Sequence, residues 1–97
     1  MITKLIGYIG FAIRGKYIFL GEDNLVKLKP NHALFVASDA SENTLIKAQN
    51  IADKKGVKII RLFKKSELGQ LLNKENVAIL IITNYSLAAQ INKIYQN

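Results

Sequence analysis

Ala33-Leu34-Phe35-Val36-Ala37, followed at once by Ser38-Asp39-Ala40-Ser41, is the stretch on which the fold turns. Five apolar residues without alternation are the pattern of a strand buried on both faces, so this segment belongs at the centre of a sheet covered on both sides. The polar turn behind it leads into a helix that Ser41 or Glu42 can cap. That helix carries Leu45, Ile46, Ala48, Ile51 and Ala52 and stops at Lys54-Lys55-Gly56.

The neighbouring segments follow the same logic. Val77 to Thr83 reads as a second buried strand, and Val57 to Phe63 alternates well enough for a third. Tyr17 to Leu20, aromatic and β-branched, supplies a fourth. Between them, Leu5, Ile6, Ile9, Ala12 and Ile13 recur at helical spacing from Thr3 to Ile13, and Arg14-Gly15-Lys16 is a cationic, glycine-containing stop. Gly21-Glu22-Asp23-Asn24 opens a short second helix that Pro30 cannot continue. A further short helix starts at Lys64-Lys65-Ser66-Glu67, and a last one runs from Ser86 through Leu87, Ala88, Ile91, Ile94 and Tyr95. Strands interleaved with helices of this length imply an α/β fold: a three-layer α/β/α sandwich with helices on both faces of a small mixed four-stranded sheet. No repeat, low-complexity tract or linker divides residues 1–97, so one domain is expected.

Composition narrows the chemistry. The chain has 97 residues, no Cys, one His and a formal net charge of +7 from 14 Lys and Arg against 7 Asp and Glu. A chain of this size buries only about two-thirds of its unfolded surface, so a large enclosed substrate cavity is not expected. Without Cys there is no disulfide framework, thiol nucleophile or thiolate zinc site, and His32 alone is a poor basis for a metal centre. No cofactor is expected. Met1 to Phe11 lacks the flanks of a signal peptide, and no run reaches the roughly 20 apolar residues of a membrane helix, so a cytoplasmic protein without membrane contact is expected.

Catalytic constellations fail on context. Gly7-Tyr8-Ile9-Gly10 lies inside a helical pattern and follows no strand, so helix packing at small residues is expected there instead of phosphate binding. His32 and Ser38 stand at opposite ends of a strand, about 20 Å apart along an extended chain, which argues against a nucleophile and base. Glu22 and Asp23 are adjacent at a helix start, where capping is the stronger reading than acid-base work. The chain reads as a non-enzyme.

The basic residues form two sequence clusters: Lys16, Lys27 and Lys29, then Lys54, Lys55, Lys58, Arg61, Lys64 and Lys65. The second is as well explained by a solvated surface as by a ligand. The first surrounds a helix start with acidic and amide residues, an odd choice for simple phosphate binding because carboxylates repel a polyanion. A base reader can use them. A carboxylate accepts from base N–H groups, an amide both donates and accepts, and a lysine reaches guanine acceptors or phosphate. Because A-form RNA hides its major-groove edges, such a helix requires an opened or kinked groove.

Four blocks then become recognisable together: Ile9-Gly10-Phe11-Ala12-Ile13-Arg14-Gly15-Lys16, Gly21-Glu22-Asp23-Asn24-Leu25-Val26-Lys27, Val36-Ala37-Ser38-Asp39-Ala40-Ser41-Glu42-Asn43-Thr44 and Glu67-Leu68-Gly69. Their order and spacing resemble the ribosomal protein L-seven-Ae/L-thirty-e superfamily, with the nearest likeness to its bacterial YlxQ-like branch. The likeness implies an L-thirty-e-like sandwich that binds kink-turn RNA, a helix bent at a bulge beside tandem sheared G·A pairs. It implies that the second helix enters the opened groove, with Gly21 allowing close approach, Asp23 and Asn24 facing guanine edges, Glu22 beside them, and Lys27 reaching guanine or phosphate. Lys16 belongs to the same implied surface. Asp39-Ala40-Ser41 after the central strand and Asn84-Tyr85-Ser86 after the last would line the bulge. The partner implied is structured RNA of the kink-turn kind, ribosomal RNA being one source of it, bound by a protein monomeric when free.

Four positions at three places depart from the family pattern. Asp23-Asn24 stands where ribosomal members carry Asn-Glu, Asn73 replaces the usual Gly before Lys74, and Tyr85 is larger than the small residue common in its loop. Tyr85 has the shape to stack on an extruded base or to block the site. The first exchange makes a second expectation credible, a ribosome-associated protein-interaction scaffold of the same fold without selective kink-turn binding.

Overall fold

The computed structural model describes residues 2–96. In chain order the elements are α1 (Ile2–Arg14), β1 (Ile18–Leu20), a 3-10 helix (Glu22–Lys27), β2 (Ala33–Val36), α2 (Glu42–Lys55), β3 (Ile59–Ile60), α3 (Lys65–Leu71), β4 (Ile79–Ile82) and α4 (Tyr85–Gln96). The sheet order is β1-β4-β2-β3. β2 pairs with β3 in parallel, and β4 runs antiparallel to both β1 and β2. The expected mixed four-stranded sheet is therefore present, with β2 and β4 as its two inner strands.

Every residue of β2 and of β4 is buried, and alternation divides them between two cores. Ala33 and Phe35 of β2 and Leu80 and Ile82 of β4 face a layer formed by α1, α3 and α4, through Leu5, Ile9, Ala12, Leu68, Ala88 and Ile91. Phe35 also packs against Phe63, ring centroids 6.1 Å apart. Leu34, Val36, Ile79 and Ile81 face the opposite layer, formed by α2 and the 3-10 helix through Ala48, Ala52, Leu25 and Leu28. This is the three-layer arrangement that unbroken apolar strands require.

Several local expectations need correction. The second helix is a 3-10 helix of six residues and not an α-helix. Leu25 and Leu28, the residues that bury it, are three apart, and at three residues per turn that spacing stacks both side chains on the sheet. Glu22 and Asp23 cap nothing: Gly21 holds the cap position without a side chain, and Glu22 pairs instead with Lys47 at 3.5 Å. α1 stops on a left-handed residue, but that residue is Lys16 (φ 61°), not Gly15. A side chain at Gly15 would collide with the Tyr17 ring, which fixes the glycine there for space. Nor do Gly7 and Gly10 pack a neighbouring helix. A Cβ at Gly7 would meet nothing within 4 Å, and one at Gly10 only the Arg14 guanidinium.

β3 is two residues long where seven were expected. Past Ile60 the pairing turns irregular: Ser38 still donates its N–H to the Phe63 carbonyl (2.8 Å), and Arg61 Nη2 donates to the carbonyls of Ser38 (2.9 Å) and Ala37 (3.2 Å). Arg61 thus leaves the basic cluster for a structural post. α4 begins one residue early at Tyr85, because Asn84 Oδ1 accepts the Leu87 N–H at 3.0 Å and caps it.

Candidate nucleic-acid interface

The strand directions decide which loops can meet. β4 is antiparallel to β1 and β2, so residues that follow β1 and β2 lie beside those that precede β4. Gly21 confirms this by donating its N–H to the Ile79 carbonyl (3.1 Å). At the opposite end Thr83 donates to the Tyr17 carbonyl (2.9 Å). The sequence-predicted residues consequently divide into two groups. Gly21, Glu22, Asp23, Asn24, Asp39, Ala40 and Ser41 follow β1 and β2, whereas Lys16, Asn84, Tyr85 and Ser86 flank the other end. The structure does not bring the loop after β4 to Gly21.

Gly21 takes φ 91° and ψ 162°, a conformation open essentially to glycine alone. It projects the 3-10 helix from the sheet end and borders an open depression of about 290 Å³ lined with Lys74 and Asn76 from the segment before β4. Sequence reading missed these two residues. Antiparallel pairing of β1 with β4 was the signal that could have found them, and it is visible only once strand order is known. On its other side, Glu22 and Asp23 line a second depression with Val26, Lys47 and Asn50. Val26 is 76% exposed, an apolar residue facing out in a motif of polar ones.

The polar groups of this end are largely committed. Asn24 Nδ2 donates one of its two N–H groups to the Leu20 carbonyl at 2.7 Å, leaving the other N–H and Oδ1 for a ligand. Asp39 Oδ1 accepts the Lys65 N–H (2.8 Å) and so holds the start of α3. Ser41 Oγ accepts the Thr44 N–H (3.2 Å), settling that Ser41 and not Glu42 caps α2. Ala40 is half-buried between the two cores. Asp23 remains exposed.

Lys27, at the end of the 3-10 helix, leans toward the other group. Its Nζ sits 4.8 Å from the centroid of the Phe19 ring, a cation–π contact, and it lines a depression shared with Tyr85. His32 lines it too, 5% exposed, with Nδ1 accepting the Lys29 N–H at 3.1 Å. Burial, and then the nearby Lys29 charge, push its pKa below the usual 6.5. Among the described residues no group of His, Cys, Asp and Glu side chains could hold a metal ion, and no helix is long and apolar enough to cross a membrane.

A mixed four-stranded sheet between two helical layers, with a glycine-led 3-10 helix leaving one end of it, defines a small three-layer α/β sandwich protein. Residues 9–91 match the ribosomal protein L7Ae/L30e/S12e/Gadd45 family, and the chain belongs to it. Across 84 residues it is 31% identical to the RNA-binding protein YlxQ of Enterococcus faecium, covering 84% of this chain and 82% of that one. A solved structure from Bacillus halodurans, described only as a protein with unknown function, superposes with a TM-score of 0.86 at 18% identity, covering 97% of this chain and 98% of the other. That likeness speaks for the fold.

Proposed function

We propose that residues 1–97 form a single RNA-binding domain that recognises and stabilises kink-turn RNA. It acts without catalysis, as a ribosome-associated cytoplasmic protein that is monomeric when free. The observation that carries the reading is the Gly21 to Lys27 segment, where a conformation reserved for glycine leads into an exposed Asp23 and a half-buried Asn24 at the sheet end. The similarity to a protein named for RNA binding gives the ligand class.

Stabilisation would work by binding the bent RNA and shifting its population toward that state. The +7 charge supplies the attraction and makes affinity fall with salt. Asp23 and Asn24 supply acceptors for guanine N–H groups, and Lys27 a cation for guanine O6 or phosphate. The Lys74 and Asn76 segment adds a donor and an amide beside Gly21.

The scaffold reading has one observation in its favour. Glu22, Asn24, Asp39 and Ser41 each already serve a protein partner. Titrating a kink-turn RNA against the same RNA with its G·A pairs replaced by Watson-Crick pairs separates the two. Selective recognition predicts at least a tenfold preference for the kink-turn, the scale of one good base contact. Equal affinity overturns it in favour of the scaffold.

A further inference from the structure

We propose that the depression between Phe19, Lys27, Lys29, His32, Thr83 and Tyr85 is a second ligand site, at the end of the sheet opposite Gly21, that binds one nucleotide by its base and its phosphate. The inference goes beyond the kink-turn reading and is tested separately from it.

The depression is open and holds about 440 Å³, within the range of sites for small organic ligands. Its chemistry is one-sided. Two lysines line it and no carboxylate does. Among the described residues the only ion pair is Lys47 with Glu22, on a different surface, so Lys27 and Lys29 have no carboxylate to compete with a phosphate. Lys27 is also held in place, its ammonium resting on the Phe19 face. A cation fixed in advance loses less conformational freedom when an anion arrives.

Tyr85 supplies the aromatic face. It is 66% exposed at the start of α4, next to the Asn84 cap that fixes the turn. An exposed tyrosine beside lysines is the combination that binds unpaired nucleotides, stacking the base and neutralising its phosphate.

His32 is the independent mark of a built site. The side chain is 95% withdrawn from solvent, yet it lines this depression. Because Nδ1 accepts the Lys29 N–H, the neutral ring carries its proton on Nε2, a donor that makes no hydrogen bond to the described residues and is still reached by solvent. A donor without a protein partner on the lining of a depression is held by water until a ligand takes its place. His32 lines the same depression as the two lysines and the tyrosine, and an Nε2–H there can donate to a base carbonyl, a ring nitrogen or a phosphate oxygen.

The test uses the single histidine of the full chain as a reporter. The ring Cε1–H signal of His32 is followed by NMR during titration with pentaadenylate, AMP and inorganic phosphate. The proposal predicts a saturable shift with pentaadenylate that Tyr85→Ala weakens by about tenfold, the effect of one lost base stack, and that Tyr85→Phe preserves. A matching shift with AMP identifies a free nucleotide as sufficient, and a shift with pentaadenylate alone identifies an unpaired nucleotide within an RNA strand. Either supports the site. No saturable shift with either nucleotide probe, or an equal response to inorganic phosphate alone, overturns it. The kink-turn comparison reads out the G·A contacts of Asp23 and Asn24 and shares only Lys27 with this site, whereas Tyr85 and His32 report this site alone: loss of G·A selectivity with a retained His32 shift defeats only the first reading, and the converse defeats only the second.

Discussion

At the Gly21 end of the sheet four polar side chains are tied to the chain itself: Asn24 to the Leu20 carbonyl, Asp39 to the start of α3, Ser41 to the start of α2, and Arg61 to the Ala37 and Ser38 carbonyls. At the Tyr85 end the corresponding groups are open, with an exposed tyrosine, two lysines and the Nε2–H of His32 around one depression. The difference teaches that the two ends suit different ligands. A set of loops locked by its own hydrogen bonds presents a fixed shape, suited to a partner whose own shape is unusual. Open groups around a shallow depression suit a small or flexible partner that brings its own complement.

The largest expected effect strikes the locked end from beneath. Gly69 is buried in α3, and a Cβ there would overlap the Glu75 carbonyl and approach that of Lys74 to 2.8 Å. Both are backbone atoms, so relief requires moving the segment that carries Lys74 and Asn76. Gly69→Ala is expected to destabilise by about 1–3 kcal/mol, read as a lower urea midpoint, and to reduce kink-turn RNA affinity while the His32 ring signal stays in place. An unchanged midpoint would show that the segment yields freely and that this end is not rigid.

Gly21→Ala comes next. Space is not the obstacle, since an added Cβ meets nothing within 4 Å; φ of 91° is. The expected cost is about 1–2 kcal/mol. Binding of kink-turn RNA is expected to fall further than stability does, because the 3-10 helix would leave at a different angle. Equal losses in both measurements would reduce Gly21 to a structural hinge.

How much of this was legible beforehand follows from range. The two inner strands were evident because a strand covered on both faces must be apolar throughout, as Ala33 to Ala37 and Val77 to Ile82 are. Helix ends set by local chemistry, such as Ser41 and the left-handed Gly56 closing α2, were legible for the same reason. What could not be read was anything set by pairing between distant segments. Strand order put Asn84-Tyr85-Ser86 away from Gly21 and brought Lys74 and Asn76 to it. The Arg61 contacts past the end of β3 span more than twenty positions. Gly7 and Gly10 were misread because a helical glycine looks alike in sequence whether it packs or faces solvent.

The open end makes its own prediction through His32. Folding withdraws the ring from solvent and sets it near Lys29, so the folded protein binds the imidazole proton more weakly than the unfolded chain, whose value is near 6.5. The unfolded state therefore holds more protons in the window below 6.5, and stability rises with pH across it. The stabilising contribution of neutral His32 is complete above about 6.5 and is lost progressively as pH falls from 6.5 toward the folded value. Urea midpoints at a series of pH values check this, and His32→Gln is expected to flatten the slope there. A slope that survives in the variant would assign the titration to another group.

The smallest effect separates conformation from contact at the locked end. Asn73 has φ of 58°, the left-handed region, directly after α3 and before Lys74. Glycine takes that region at least cost, and asparagine is the residue with a side chain that best tolerates it. The Asn73 side chain is exposed and the backbone already turns correctly, its N–H donating to the Gln70 carbonyl at 3.3 Å. Asn73→Gly therefore removes mild strain but adds freedom to the unfolded chain, and the two oppose each other to within about 0.5 kcal/mol. Asn73→Ala keeps a side chain without the tolerance and is expected to cost about 1 kcal/mol. If alanine and glycine prove equal in urea denaturation, the left-handed turn is not what holds Lys74 beside Gly21. The rigidity assigned to that end would then rest on Gly69 and on the Lys74 N–H bond to its carbonyl (2.7 Å) alone.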